Sequence, residues 1–288
     1  MSRLLVNGVR LGVTVVGSGP AVVAVHGFAG DMSTWAGLVD ELKEEYTVLL
    51  VDLLGHGASD CPEEPARYSM ERSVSDLMAL LDHLGVSRAG WLGYSMGGRL
   101  ALLGATMMPE RCACLILEGA SPGLAEPKER AERAEGDHAL ADLIEEKGVE
   151  AFFDYWERLP LFASQRDLPR EIRAFIREQR LRQNPRGLAN TLRGASVGVQ
   201  SPVRERLPSL VIPVLCIVGE KDAKFRAIGE EMCELLPDGN LSLIPGAGHC
   251  AHLERSQEFN RAVLGFLRQQ PPWTPPLGAG NPSEESRS

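Results

Sequence analysis

Seven short apolar runs constrain this chain more than any other feature of its sequence. They fall at 9–16, 21–25, 46–51, 89–92, 112–117, 214–218 and 241–244. Several end abruptly at a residue with chemistry to offer: His26 after the second, Asp52 after the third, Gly93 after the fourth. Continuous apolar runs this short are what strands buried on both faces look like. Helical spacing fills the gaps between them. The clearest stretch is 71–84, with Val74, Leu77, Met78, Leu81 and Leu84 on one face. Others fit 98–108, 230–236 and 259–267. Strands alternating with helices predict a mainly parallel sheet with helices on both faces. In such sheets functional groups gather beyond the carboxyl ends of the strands.

The rhythm breaks between 121 and 203. Strand signal is poor there, and helical stretches at 128–133, 149–157 and 170–182 predict a helical cap over the strand ends. This divides the chain into a core of 1–120 and 204–268, a cap of 121–203, and a tail of 269–288. The tail holds Pro271, Pro272, Pro275, Pro276 and Pro282 and reads as disordered. Hydrophobic residues make up 44% of the 288, enough for a sizeable core. A formal net charge of −9 argues against nucleic acid or an anionic membrane as partner. It leaves room for a small anionic substrate, because a local arginine cluster overrides the global field. No apolar run is long enough to span a bilayer, and polar residues interrupt the N-terminus too early for a signal peptide. The six cysteines include no C-x-x-C pair, so metal-ligand spacing is missing. They read as reduced thiols of a cytoplasmic protein, with Cys112 and Cys114 on the same face of a strand. No dinucleotide fingerprint or phosphate loop is visible, so neither cofactor nor metal is expected. Oligomeric state is not legible.

The strongest chemical signal is Gly93-Tyr94-Ser95-Met96-Gly97-Gly98, a G-x-S-x-G set between an apolar strand and a helix. A sharp strand-to-helix turn pushes the serine hydroxyl out over the sheet, and glycines on either side permit the close crossing. This context resembles the nucleophile elbow of the α/β-hydrolases. A serine hydroxyl needs an imidazole, and the imidazole needs a carboxylate. On that fold the chain order is Ser, acid, His. The late histidines are His249 and His252. His249, in the loop Pro245-Gly246-Ala247-Gly248-His249, is the favoured base; His252 falls at the start of a helix. Asp222 is the favoured acid over Glu220, and Asp238 sits in a turn with Gly239 and Asn240. Oxyanion donors are expected from the backbone N–H groups of Phe28 and Met96. His26 and His56 read as structural histidines that pin loops.

Within the α/β-hydrolases, the chain is similar to the 2-succinyl-6-hydroxy-2,4-cyclohexadiene-1-carboxylate synthases of menaquinone biosynthesis. The resemblance rests on His26-Gly27-Phe28-Ala29-Gly30-Asp31, residues 93–99, Tyr155-Trp156-Glu157 with Leu159-Pro160-Leu161-Phe162, residues 183–188, and Asp222-Ala223-Lys224-Phe225. It implies an α/β-hydrolase fold with a helical cap after its sixth core strand, and a carbon–oxygen lyase. In that reaction a proton is removed beside the succinyl ketone of 2-succinyl-5-enolpyruvyl-6-hydroxy-3-cyclohexene-1-carboxylate and pyruvate leaves. The resemblance also implies substrate contacts from Tyr94, Arg99, Arg133, Trp156, Arg182, Lys224 and Phe225.

The substrate that the resemblance implies carries three carboxylates and needs cations in an acidic protein, and guanidinium groups bind carboxylates bidentately. Arg99 lies one turn past Ser95, and the cap adds arginines that include Arg130, Arg133, Arg158, Arg177, Arg180, Arg182 and Arg186. Two other readings stay open at this point. One is a hydrolase of an ester or carbon–carbon bond in an anionic substrate. The other is a non-catalytic small-molecule binding protein.

Overall fold

The computed structural model describes residues 1–273. Eight strands form one sheet: β1 (Ser2–Val6), β2 (Val9–Val16), β3 (Ala21–Val25), β4 (Thr47–Val51), β5 (Ala89–Tyr94), β6 (Cys112–Glu118), β7 (Val214–Gly219) and β8 (Gly239–Ile244). Their order is β1-β2-β4-β3-β5-β6-β7-β8. The pairs β1–β2 and β2–β4 are antiparallel and all others parallel. The helices are α1 (Ala36–Leu42), α2 (Met70–His83), α3 (Met96–Met107), α4 (Pro127–Trp156), α5 (Arg170–Leu181), α6 (Pro185–Gly194), α7 (Ala223–Leu235), α8 (Ala251–Glu254) and α9 (Ser256–Arg268).

The strand absent from the sequence reading is β1. Most of it is exposed, and its apolar residues, Leu4-Leu5-Val6, run for only three positions. Its signal is the dipeptide Asn7-Gly8, whose φ values of 47° and 83° build a tight hairpin that pairs Val6 with Val9. Counting β1, the cap follows the sixth strand.

The fully buried central strands separate two apolar layers. α2, α3 and α7 pack through Leu77, Leu102 and Met232 on one face; α1 and α9 pack through Leu42 and Phe259 on the other. Cys112 and Cys114 were expected on one face and are not. Cys112 packs into the first layer and Cys114 into the second. The cause is a bulge: Ala89 pairs with Cys112 and Gly90 with Cys114, so Ala113 is the extra residue and alternation shifts by one.

Between β6 and β7 the chain forms α4, α5, α6 and the 3-10 turn Pro160–Asp167. α4 is interrupted at Gly148, where φ is 83°. This segment has an apolar cluster of its own, including Ile144, Phe152 and Leu188, which reaches Ala29 in the loop after β3. Part of the expected disordered tail is ordered: the Trp273 indole N–H donates to the Ala21 carbonyl at 2.9 Å, and its ring stacks on Tyr46. The rest of that expectation, 274–288, lies outside the described residues.

Candidate active site

The strand order reverses at β3, which has β4 on one side and β5 on the other, both parallel to it. A crevice opens beyond the carboxyl ends at such a point. The parallel register pairs Val25 with Gly93, so the loop after β3 and the turn after β5 meet there.

Ser95 occupies that turn with φ 50° and ψ −106°, a strained conformation for a residue with a side chain. Its N–H donates to the Glu118 carbonyl at 2.7 Å. A Cβ at Gly93 would strike the Gly97 carbonyl, and one at Gly97 would strike the carbonyls of Val25 and His26. The glycines are therefore a packing requirement of the β5–α3 crossing. Met96 begins α3, where backbone N–H groups lack helical partners.

The Ser95 hydroxyl lies 3.0 Å from His249 Nε2, and His249 Nδ1 lies 2.7 Å from Asp222 Oδ2. A carboxylate only accepts, so Nδ1–H donates to Asp222 and Nε2 is left to accept the serine proton. Asp222 is also the N-cap of α7, where its Oδ1 accepts the Phe225 N–H at 3.2 Å. Helix capping thus fixes the carboxylate that orients the ring. The rival acid, Glu220, accepts the Gly246 N–H at 2.8 Å instead. The rival base, His252, faces inward. Its Nδ1 is 2.7 Å from Glu118 Oε2, and its backbone N–H donates to Glu118 Oε1. Burial opposes charge on His252, but the Cys250 sulfur and the Glu118 carboxylate outweigh it and hold its pKa up at about 10.

His26 and His56 brace the loop after β3. His26 Nε2 accepts the Leu53 N–H at 3.0 Å, and His56 Nε2 accepts the Ala29 N–H at 3.2 Å. Burial lowers both pKa values, that of His56 to about 3, so both rings are neutral acceptors. Phe28, between them, turns toward the same cavity as Ser95 and Met96.

That cavity is about 990 Å³, a size suited to a small-molecule substrate. Of the residues expected at the substrate, Tyr94, Arg99, Arg133, Trp156, Lys224 and Phe225 line it. Arg99 donates to the Gln200 amide oxygen at 2.5 Å and to the Ala195 carbonyl at 3.0 Å, neither of them charged. Burial, with Arg133 nearby, lowers its pKa to about 10, so it stays cationic at neutral pH. Arg133 is fixed by both oxygens of Asp137 at 2.9 Å. Trp156 stacks on Phe152 and meets Phe28 edge-on.

Arg182 is the exception. It is not among the lining residues, its side chain is 48% exposed, and it pairs with Asp31 at 2.8 Å. Arg180 takes the inward place, 10% exposed, bonded to Glu157 and Gln165 and lying over the Phe162 ring. Helical spacing carried the signal. Ile176, the buried apolar residue of α5, shares its face with Arg180 four residues on, whereas Arg182 is rotated about 120° away. Among the described residues no group of three or more His, Cys, Asp and Glu could hold a metal ion.

The α/β hydrolase fold family model matches residues 20–256. A relative from Bacillus subtilis, provisionally named 2-succinyl-6-hydroxy-2,4-cyclohexadiene-1-carboxylate synthase, is 44% identical over 91% of this chain and 96% of its own. A protein of that name from Escherichia coli O1:K1 is 35% identical over 86% of this chain and 94% of its own. This chain belongs to the 2-succinyl-6-hydroxy-2,4-cyclohexadiene-1-carboxylate synthase family. The solved structure of MenH from S. aureus superposes with a TM-score of 0.86 at 35% identity, covering 89% of this chain and 98% of that one. Matches this long run through the cap of the synthase family as well as its sheet. Among the described residues no helix is long and apolar enough to cross a membrane.

Proposed function

We infer that this chain is a carbon–oxygen lyase of menaquinone biosynthesis. It eliminates pyruvate from 2-succinyl-5-enolpyruvyl-6-hydroxy-3-cyclohexene-1-carboxylate to give 2-succinyl-6-hydroxy-2,4-cyclohexadiene-1-carboxylate. The observation that carries this reading is the extent of the match. At 44% identity over 91% of the chain it includes the cap, which shapes the cavity above Ser95.

The residues at the cavity supply a coherent mechanism. His249 takes the Ser95 proton at Nε2 as Ser95 Oγ removes the proton beside the succinyl ketone. Charge develops on the ketone oxygen, where the Phe28 and Met96 N–H groups stabilise it. The enolate collapses, the ring carbon–oxygen bond breaks, and the enolpyruvyl group departs. The proton held by His249 completes the pyruvate. Asp222 keeps the imidazole in the required tautomer and stabilises its charged form. Arg99, Arg133 and Lys224 meet carboxylates of the substrate, and Arg180 replaces Arg182 in that role. A small polycarboxylate is thus the partner this acidic protein accommodates. The free thiols of its six cysteines fit a cytoplasmic enzyme.

The test is pyruvate release from the enolpyruvyl substrate, followed with lactate dehydrogenase and NADH. Wild type releases pyruvate at a steady rate. Ser95→Ala, Asp222→Asn and His249→Ala each lose about a thousandfold or more while remaining folded. Rapid hydrolysis of simple esters without pyruvate release would make the protein a hydrolase.

A further inference from the structure

The loop that carries His249 has a brace that the mechanism above does not use. Glu254, in α8, points its carboxylate back under the loop. Its Oε2 accepts the Gly248 N–H at 2.6 Å, and its Oε1 accepts the Cys250 N–H at 3.2 Å. These are the residues on either side of His249. The same Oε1 accepts the hydroxyl of Ser164 at 3.0 Å, and Ser164 belongs to the 3-10 turn Pro160–Asp167 of the cap.

Packing holds part of the His249 loop, since Ala247, Gly248, His249 and Cys250 are buried and the Gly248 carbonyl lies close against Gly219. A second cavity of about 350 Å³ lies beside the loop, lined by Ser164, Lys221, Asp222, Gly248 and His249 among others. Cavities border the loop on two sides, and there directional bonds set the orientation of the peptide units flanking His249. The neighbouring anchors lie further along the chain: Lys221 N–H to the Ala247 carbonyl at 2.8 Å, and Glu118 to the His252 N–H at 3.0 Å. Seating of Ser164 is also close. A Cβ on Gly248 would collide with the Ser164 side chain, so the cap turn rests directly on the loop.

We propose that Glu254 is a positioning residue for His249, and that Ser164 makes this brace depend on the docked cap. The proposal rests on the reading of His249 as the base. A carboxylate holding both flanking N–H groups fixes where the imidazole sits between Ser95 and Asp222. Misplacement of a catalytic group by about 1 Å costs on the order of a hundredfold in rate. Through Ser164, the base is held most firmly when the cap is seated over the substrate.

The experiment compares Glu254→Gln and Ser164→Ala with wild type in three readings: kcat and KM for pyruvate release, melting temperature, and the downfield proton NMR resonance of His249 Nδ1–H. Absence of that resonance in His249→Ala assigns it. An amide accepts at one atom and donates at the other, so Glu254→Gln retains one loop bond and opposes the second N–H. Its kcat is expected to fall about tenfold to a hundredfold with KM within about twofold, and the resonance to broaden or shift. Ser164→Ala is expected to lower kcat several-fold with an unchanged melting temperature, which keeps a test available if Glu254→Gln does not fold. Wild-type kcat and an unchanged resonance in Glu254→Gln would overturn the proposal. A lowered melting temperature with normal kcat would also overturn it and leave Glu254 a structural residue. Ser95→Ala, assayed alongside, separates the two readings. If it keeps pyruvate release the triad reading falls, while the His249 resonance still reports whether Glu254 holds the ring.

Discussion

Arg99 shows how a single residue's surroundings define its use. Its hydrogen-bond partners, the Gln200 amide and the Ala195 carbonyl, carry no charge. The nearby Asp137 carboxylate is already taken up by Arg133, so the enclosed guanidinium lacks a counter-ion of its own, which is costly unless an anion arrives to meet it. Arg99→Ala should therefore lower kcat/KM for the enolpyruvyl substrate by about two orders of magnitude, as for a lost charge-assisted pair. The same variant should hydrolyse a neutral p-nitrophenyl ester as well as wild type does; equal losses on both would make Arg99 a support of the fold. The cap arginines offer a matched pair. Arg180 lines the cavity, whereas Arg182 is an exposed latch onto Asp31. Raised KM is expected for Arg180→Ala, and near-normal kinetics for Arg182→Ala. The reverse ranking, measured by the same pyruvate assay, would return Arg182 to the substrate.

Among the elements, the β5–α3 crossing is the least tolerant. Its first helical turn presses on the end of β3 so closely that a methyl group at Gly97 meets two backbone carbonyls, which cannot rotate aside. Gly97→Ala should destabilise the protein by about 2 kcal/mol or more, as overpacking does, and lower its melting temperature by several degrees. Activity should fall further than stability, since the displaced carbonyls belong to Val25 and His26, next to the Phe28 loop. A variant with wild-type melting and turnover would contradict this contact. Strand content followed from apolar runs because the central strands are buried on both faces. The exposed strand β1 left a run of only three apolar residues, and the bulge at Ala113 left no mark in the sequence that alternation alone could reveal.

Across the whole molecule, buried histidines set opposite limits on stability. His56 is neutral in the fold, its pKa held down to about 3 by burial. Its contribution is full above its ordinary value of 6.5 and is lost as pH falls toward about 3; His26, also lowered, acts in the same direction. His252 is charged in the fold, with its pKa raised to about 10. Its contribution is full below 6.5 and is lost as pH rises toward about 10. The melting temperature should thus peak near pH 6.5 and decline on both sides. Glu118→Gln should flatten the alkaline decline, and a melting temperature that rises steadily to pH 10 would contradict the charged state of His252. The sequence alone determined the alternation of strand and helix, the elbow at Ser95 and the chain order that singled out Asp222 and His249. Those features are local, written in apolar period, glycine spacing and loop position. It could not determine which cap arginine turns inward, which carboxylate claims His252, or that Glu254 braces the His249 loop. These depend on residues as far apart as Glu118 and His252, or Ser164 and Glu254, which meet only when the cap and the strand ends come together.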